Sequence, residues 1–210
     1  MMQNKKLAII ILNYNNALDT IECLQSLSNW SDPQFYKVFL IDNSDKKSFE
    51  LNHFINNIKI EIEYIFLDRN SGFTEGNNIG IKKALTEQFS QIMLLNNDTV
   101  IVDDSINMAS IELQANGNVD IIGLVNYYYV NQNKIWQYGK NLYLRFGIIL
   151  KTKLNKHKLI SYCDYVPGSS MIIKSDVFEK IGLLDENFFA YFEEMDFCTR
   201  AKKKNFRIAY

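Results

Sequence analysis

The chain begins with short apolar runs that break off at clusters of polar residues. Leu7 to Leu12 ends in Asn13-Tyr14-Asn15-Asn16, and Val38 to Ile41 stops at Asp42-Asn43-Ser44-Asp45. Ile60 to Leu67 gives way to Asp68-Arg69-Asn70-Ser71-Gly72, and Ile92 to Leu95 halts at Asn96-Asn97-Asp98. Between these runs lie segments of helical spacing, with Ile21, Leu24 and Leu27 inside Asp19 to Leu27 and a second helix predicted from Thr74 to Phe89. Apolar strands separated by helices predict an α/β fold with a mostly parallel central sheet covered on both faces. Ligands gather at the carboxyl ends of such strands, so all the polar clusters should line one edge.

The texture changes from Tyr127 to Tyr165, where Tyr and Lys are abundant and alternating stretches replace helical period. A hairpin-like or loop-rich insertion is expected there. Order returns with the turn Val166-Pro167-Gly168-Ser169-Ser170 and a strand over Met171 to Ile173. A helix over Ser175 to Ile181, a turn at Gly182 and a last helix over Glu193 to Lys204 follow.

Composition narrows the class. A chain of 210 residues, 47% hydrophobic and 22% charged, fits one domain over 1–210. Lys and Arg number 23 against 24 Asp and Glu, so no global charge recruits nucleic acid or an acidic membrane. Cys23, Cys163 and Cys198 are odd in number and form no CxxC, which argues against a disulfide framework or structural zinc and fits a reducing cytoplasm. No run reaches the roughly 18 apolar residues of a membrane helix, and only a strand-length run follows Lys5-Lys6. Neither signal peptide nor anchor is expected, and any membrane association would be peripheral.

Each candidate motif carries a functional and a plain reading. Asn96-Asn97-Asp98 offers hard oxygen ligands to Mg2+ or Mn2+, yet Asn and Asp also favour ordinary turns. Gly72, Gly76 and Gly80 recur every fourth residue, which allows close approach of a ligand or of a packed neighbour; the spacing is neither GxGxxG nor a P-loop. Asp42 ends a strand where it would accept from a base or ribose, or simply cap a turn. Glu193, Glu194 and Asp196 follow an aromatic run, where repulsion and partial desolvation raise a carboxyl pKa toward that of a general base. The plain alternative is an acidic first turn with an Asp196 to Arg200 pair. His53 and His157 are isolated, so Ser169-Ser170 has no hydrolase triad. Lys151, Lys153, Lys156 and Lys158 read as a solvated face or as a site for an anionic acceptor or lipid headgroup.

Taken in order, "IIILNYNN", "VFLIDNSD", "NSGFTEGNNIGIKKA", "MLLNNDTV", "VPGSSMIIKSDVF" and "IGLLDENFFAYFEEMDFCTRAKKKNF" resemble a family 2 glycosyltransferase of the GT-A fold, near its rhamnosyltransferase-like branch. The resemblance runs from Leu7 to Phe206. It implies inverting transfer of a sugar from a UDP- or dTDP-sugar to the hydroxyl of a glycan, lipid-linked or protein-linked acceptor in cell-surface assembly. Residues 1–100 would form the nucleotide-binding half and residues 101–210 the acceptor-binding half. Leu12, Tyr14 and Asp42 would meet the base, while Arg69, Asn70, Gly72 and Asn97 would border the nucleotide. Asp98 matches the last residue of the family's metal-binding DxD, with Asn96 at its first position, and the metal would be Mn2+ or Mg2+. Gly168 and Ser169 match the acceptor-side turn. Glu194 matches the catalytic base of a Glu-Asp pair, one methylene longer, with Glu193 behind it. The family usually continues with a His-containing segment, so a C-terminally truncated domain is expected, in the cytoplasm or peripherally at the inner membrane face. A dinucleotide dehydrogenase lacks its fingerprint here; a non-catalytic nucleotide-sugar or partner-binding module of the same fold stays open.

Overall fold

The structure is a computed structural model that describes residues 7–30, 34–115, 117–143, 148–152, 154 and 159–210. Lys5, Lys6, Lys153, Lys156, His157 and Lys158 lie outside the described residues. In its first half, β1 (Leu7–Asn13), α1 (Ala17–Trp30), β2 (Tyr36–Asp42), α2 (Phe49–Ile55), β3 (Ile62–Phe66), α3 (Gly72–Thr86) and β4 (Gln91–Asn96) alternate strictly. The alternation then loosens through α4 (Ser105–Ala115), β5 (Ile121–Gly123), β6 (Asn126–Tyr127), β7 (Ile135–Gln137), β8 (Lys140–Tyr143), β9 (Ile148–Lys151) and β10 (Tyr162–Cys163). The chain closes with β11 (Ser170–Lys174), α5 (Ser175–Ile181), α6 (Glu193–Lys203) and β12 (Ile208–Ala209).

Eight strands form one sheet in the order β10-β12-β5-β11-β4-β1-β2-β3. The pairs β3-β2, β2-β1 and β1-β4 are parallel, so the carboxyl ends of these four strands share one edge. β11 runs antiparallel to both β4 and β5. The reversal at β11 positions the site, because it brings the amino end of β11, and the turn before it, to the edge where β4 ends; β10 is also antiparallel, to β12, at the far edge of the sheet.

Both faces are covered, which is why the strands are apolar throughout. Ile10, Phe39 and Leu94 point toward Ile81 of α3, Phe178 of α5 and Phe197 of α6. Ile9, Leu40 and Met93 point the other way, toward Leu24 of α1, Leu51 of α2 and Ile106 of α4. Alternate side chains of one strand thus enter different cores. Helix α3 approaches β1 closely because of its glycines. A Cβ on Gly76 would lie 2.5 Å from Leu12 Cδ1, and one on Gly80 would lie 2.6 Å from Ile10 Cγ2. Two of the spaced glycines therefore serve packing.

The expected insertion resolves into antiparallel hairpins β6-β7 and β8-β9. The helix expected to reach Phe89 ends at Thr86; Gln88 turns left-handed, and Phe89 folds back edge-on against Phe39 at 5.9 Å. Among the described residues no helix is long and apolar enough to cross a membrane.

Candidate active site

At the shared edge a buried polar network joins the loops that follow β1, β2, β3 and β4. Asn13 is its hub: its amide donates to Asp42 Oδ1 at 2.8 Å and to Ser44 Oγ at 3.0 Å, while its carbonyl oxygen accepts from Thr20 Oγ1 at 2.9 Å. Asn97 of the β4 loop donates to the same Thr20 hydroxyl at 3.0 Å. Asn43 donates to the Gly72 carbonyl at 2.9 Å and accepts from Ser71 Oγ at 2.9 Å, tying β2 to the start of α3. Asn15 and Asp68 adopt left-handed backbone at this edge, a conformation that short polar side chains tolerate.

Within this frame Asp42 is fully buried. Besides the Asn13 bond, it accepts from the Tyr64 hydroxyl at 2.6 Å and the Ser44 N–H at 3.0 Å. Burial, then the bond to Asp42, pushes the Tyr64 phenol well above its ordinary range, so it stays a donor. A base reaching Asp42 directly would displace one of these donors; as placed, Asp42 fixes the loop geometry. Tyr14 is exposed and half-buried Leu12 packs under Gly76. Asn70 accepts from the Gly72 N–H at 3.0 Å, an Asx turn that delivers Gly72 in left-handed backbone. Arg69 is exposed and pairs with Glu75.

The end of β4 presents Asn96, Asn97 and Asp98. The Asn96 N–H donates to the Ser169 carbonyl at 2.9 Å, and the Asn96 carbonyl accepts from the Thr99 N–H at 3.2 Å. Asp98 is exposed, with no ion pair among the described residues. One carboxylate and neighbouring carboxamide oxygens form a hard donor set too small to cage an ion alone, and no cluster of three His, Cys, Asp or Glu side chains suited to a metal occurs among the described residues. That set suits Mg2+ or Mn2+, which take one or two carboxylates and complete their shell with substrate phosphates and water.

The opposite wall carries the acid pair. Glu193 opens α6 after two consecutive left-handed residues, Tyr191 and Phe192, whose strain is of the kind that collects at functional sites. Its side chain is 5% exposed and its Oε2 has no hydrogen-bond partner. Burial raises Glu193 from 4.5 to about 7, helped by the neighbouring Glu194 charge and opposed by its own backbone N–H. Glu194 is half-buried and accepts from the Tyr165 hydroxyl at 3.1 Å. Gly168 lies against it: a Cβ there would stand 3.3 Å from the Glu194 Cβ. Ser169 is buried and its hydroxyl accepts from Asn126 at 3.0 Å. The Asp196 to Arg200 pair forms at 2.7 Å, and Arg200 also donates to the carbonyls of Ile181 and Leu183.

The fold therefore brings the predicted site residues to one sheet edge, where Asp42, Gly72, Ser169 and Glu193 are buried and Leu12 is half-buried. Sequence reasoning missed Asn13 and Thr20 as organisers, Tyr165 as the partner of Glu194 and Phe189 as the contact of Gly72. The thiols of Cys23, Cys163 and Cys198 are buried and pushed up to about 12 by that burial, so none is a ready nucleophile.

A parallel sheet reversed at β11, with a nucleotide-type edge facing an acid pair, defines the GT-A class of sugar-nucleotide transferase folds. Solved structures share it: GalNAc-T7 with UDP, GalNAc and Mn2+ has a TM-score of 0.79 at 13% identity over 97% of this chain and 42% of that one. The mannosyltransferase PcManGT of Pyrobaculum calidifontis, with GDP-Man and Mn2+, has a TM-score of 0.67 at 10% identity over 97% and 53%. Residues 8–182 match Glycosyl transferase family 2, and the chain belongs to that family. It is 30% identical over 96% of its length to the low-salt glycan biosynthesis hexosyltransferase Agl10 of Haloferax volcanii. Over 94% of its length it is 24% identical to the dTDP-rhamnosyl transferase RfbF of Shigella flexneri. The chain spans 63% of each of these two relatives.

Proposed function

We propose that this chain carries the catalytic domain of a metal-dependent inverting glycosyltransferase that moves a hexose or deoxyhexose from a UDP- or dTDP-sugar to an acceptor hydroxyl. The observation that carries the reading is the bond from Asn96 to Ser169, since it sets the metal-side triplet and the Gly168 to Glu194 contact on the same edge. The relatives named for dTDP-rhamnose and hexose transfer support the donor class. The residues divide into two walls. Tyr14, Asn70, Arg69 and Asn97 border the nucleotide over the loop frame held by Asp42, with Gly72 leaving room for close backbone approach. Asp98, with Asn96, would hold Mn2+ or Mg2+, and such an ion would offset the negative charge that develops on the leaving group.

Glu194 removes the acceptor proton as the acceptor oxygen bonds the anomeric carbon, and the sugar-phosphate bond breaks on the opposite side. Inversion follows from that single displacement. Tyr165 fixes the Glu194 carboxylate, while Glu193, held near pH 7, stands behind it. Residues 1–100 act as the donor half and residues 101–210 as the acceptor half of one domain. The acceptor is a cell-surface glycan, free or carried on lipid or protein, and the free thiols fit assembly on the cytoplasmic side, with docking at the inner membrane face.

Calorimetric titration with UDP and dTDP, with and without Mn2+, tests the reading. Binding should require the metal, be lost in Asp98→Ala and persist in Glu194→Gln, while Glu194→Gln abolishes transfer. Equal loss of nucleotide binding in both variants would break the division of roles. Binding without turnover in the unaltered chain would favour a non-catalytic nucleotide-sugar module.

A further inference from the structure

Beyond the edge, a groove of about 1000 Å3 runs from Asp98 between α4 and the β6-β7 hairpin. Its volume lies at the top of the range for small-molecule sites, about 300–1,000 Å3, so it is larger than one sugar ring requires. Apart from Asp98 at its mouth, none of the residues assigned to the donor lines it. One wall carries exposed Tyr127, Tyr128 and Trp136, and Met108 of α4 is exposed across it. Tyr128 and Trp136 lie 6.5 Å apart with ring planes tilted by 51°. Lys134 stands 5.0 Å over the Tyr128 ring, and at the hairpin tip the Tyr129 hydroxyl donates to Glu22 of α1 at 2.8 Å. These contacts hold the wall in place over the edge.

The polar lining decides what this groove takes. Among the described residues its lining contains the carboxylates Asp98, Asp103, Asp104 and Glu112 and the carboxamides Asn126, Gln132 and Asn133, and no Lys, Arg or His. Beyond Asp98, the carboxylates Asp103, Asp104 and Glu112 disfavour phosphate, whether of a lipid headgroup, a diphosphate carrier or a polyanion. Planar acceptors beside flat aromatic faces match instead a neutral pyranose, whose hydroxyls donate to carboxylates and whose C–H face stacks on rings. Hydrogen bonds link the groove wall to the turn that touches the acid pair. Asn126, in its lining, donates to Ser169 and accepts from the Ser170 hydroxyl at 2.8 Å, and the adjacent Gly168 touches Glu194.

We propose that this groove is a subsite for a neutral oligosaccharide acceptor, holding the sugar units that precede the one receiving transfer, with Trp136 and Tyr128 as its stacking platforms. The inference rests on the glycosyltransferase reading, and it commits the acceptor to an uncharged glycan end whose carrier lies outside the groove.

The test is calorimetric titration of the chain, with UDP, dTDP and Mn2+ present, against a panel of neutral hexose and 6-deoxyhexose tetrasaccharides and their monosaccharides. Some tetrasaccharide should bind at least about tenfold tighter than its monosaccharide. Trp136→Ala and Tyr128→Leu should each weaken it about tenfold, as truncation of an aromatic anchor does. Metal-dependent nucleotide binding should remain unchanged in both variants, which also reports that they fold. Intact nucleotide binding with no tetrasaccharide bound, or with binding indifferent to both variants, overturns the subsite while leaving the donor reading standing. Adsorption to anionic phospholipid vesicles that both variants abolish overturns it in favour of a lipid surface. Failure of nucleotide binding in the unaltered chain sinks the donor reading, on which the subsite rests, and is distinguished from failure of the subsite alone, in which nucleotide binding stays intact.

Discussion

The Tyr165 hydroxyl donates to Glu194 Oε1 at 3.1 Å, so a residue between β10 and β11 aims the carboxylate of α6. Tyr165 is itself buried, and burial, then the Glu194 charge, pushes its phenol well above the ordinary tyrosine range. It therefore remains a donor at every pH at which the protein works, and Glu194 keeps one fixed orientation. The isolated bridge between Lys140 and Tyr165 holds the backbone at that point.

Tyr165→Phe keeps the ring and removes only this bond. Stability should fall by about 1 kcal/mol, the net worth of a typical hydrogen bond. The rate should fall more, because a misplaced base loses catalysis steeply with distance. The expected result is a drop of about tenfold in kcat for release of nucleoside diphosphate from the donor, with the donor KM unchanged. A raised KM with unchanged kcat would show that Tyr165 serves binding and not the base.

Asn13→Ala removes the hub of the loop network. Asp42, Ser44 and Thr20 would each lose a partner in a region closed to water, at about 1–3 kcal/mol per unsatisfied group. A loss of about 3 kcal/mol is expected, read as a lower urea midpoint at unchanged slope. Nucleotide binding should weaken as well, because the loops after β1, β2 and β4 share this hub. Asn13→Asp would be a sharper probe, since it places a second carboxylate 2.8 Å from Asp42.

Much of this edge was legible because its signals are local. The apolar runs of β1, β2 and β4 are continuous since both faces are buried, and the helix stop at Gly182 involves residues a few positions apart. What escaped depends on long-range pairing. Asn78 looks like one more polar residue in a Gly-rich helix, yet it is buried and exchanges hydrogen bonds with both backbone groups of Leu184, 106 positions away. The short helices α2 and α4 escaped for a different reason. Their apolar positions, such as Ile106 and Leu113, span too few turns to stand out from neighbouring polar stretches. The reversal at β11 has no signature in the residues of the strand itself, so the mostly parallel sheet was legible while the place of its antiparallel strand was not.

Gly72 differs from Gly76 and Gly80 in what a side chain would meet. Its φ is +81°, and a Cβ would lie 2.8 Å from both the Phe189 carbonyl oxygen and the Phe189 ring. Backbone cannot step aside as the Leu12 side chain can at Gly76. Gly72→Ala should therefore cost about 2 kcal/mol through left-handed strain and overpacking, more than Gly76→Ala. It should also disturb the loop from Phe188 to Phe192, whose Phe189 carbonyl accepts from the Phe73 N–H at 2.8 Å. Limited proteolysis within that loop, compared between the two variants, checks the assignment: faster cleavage in Gly72→Ala alone is expected.

Glu193 makes stability depend on pH in a sense opposite to that of a paired surface carboxylate. Its carboxyl is raised from 4.5 to about 7 in the folded chain, chiefly by burial and then by Glu194. Between these values the native state retains a proton that the unfolded chain has released, so stability falls as pH rises through the interval and levels off above about 7. At about 1.4 kcal/mol per unit, the accumulated loss is at most about 3 kcal/mol. Glutamine keeps the shape without the charge. Glu193→Gln should match the unaltered chain at about pH 3, more than a unit below the ordinary value of 4.5, where the acid is largely protonated in both states. At pH 8 it should melt several degrees higher, up to about 10 °C for a domain of this size. Thermal scans at the two pH values decide the point. An equal shift at both would mean that Glu193 is not held as a buried acid, and a lower melting temperature at pH 8 would mean that its charge is compensated in the folded chain.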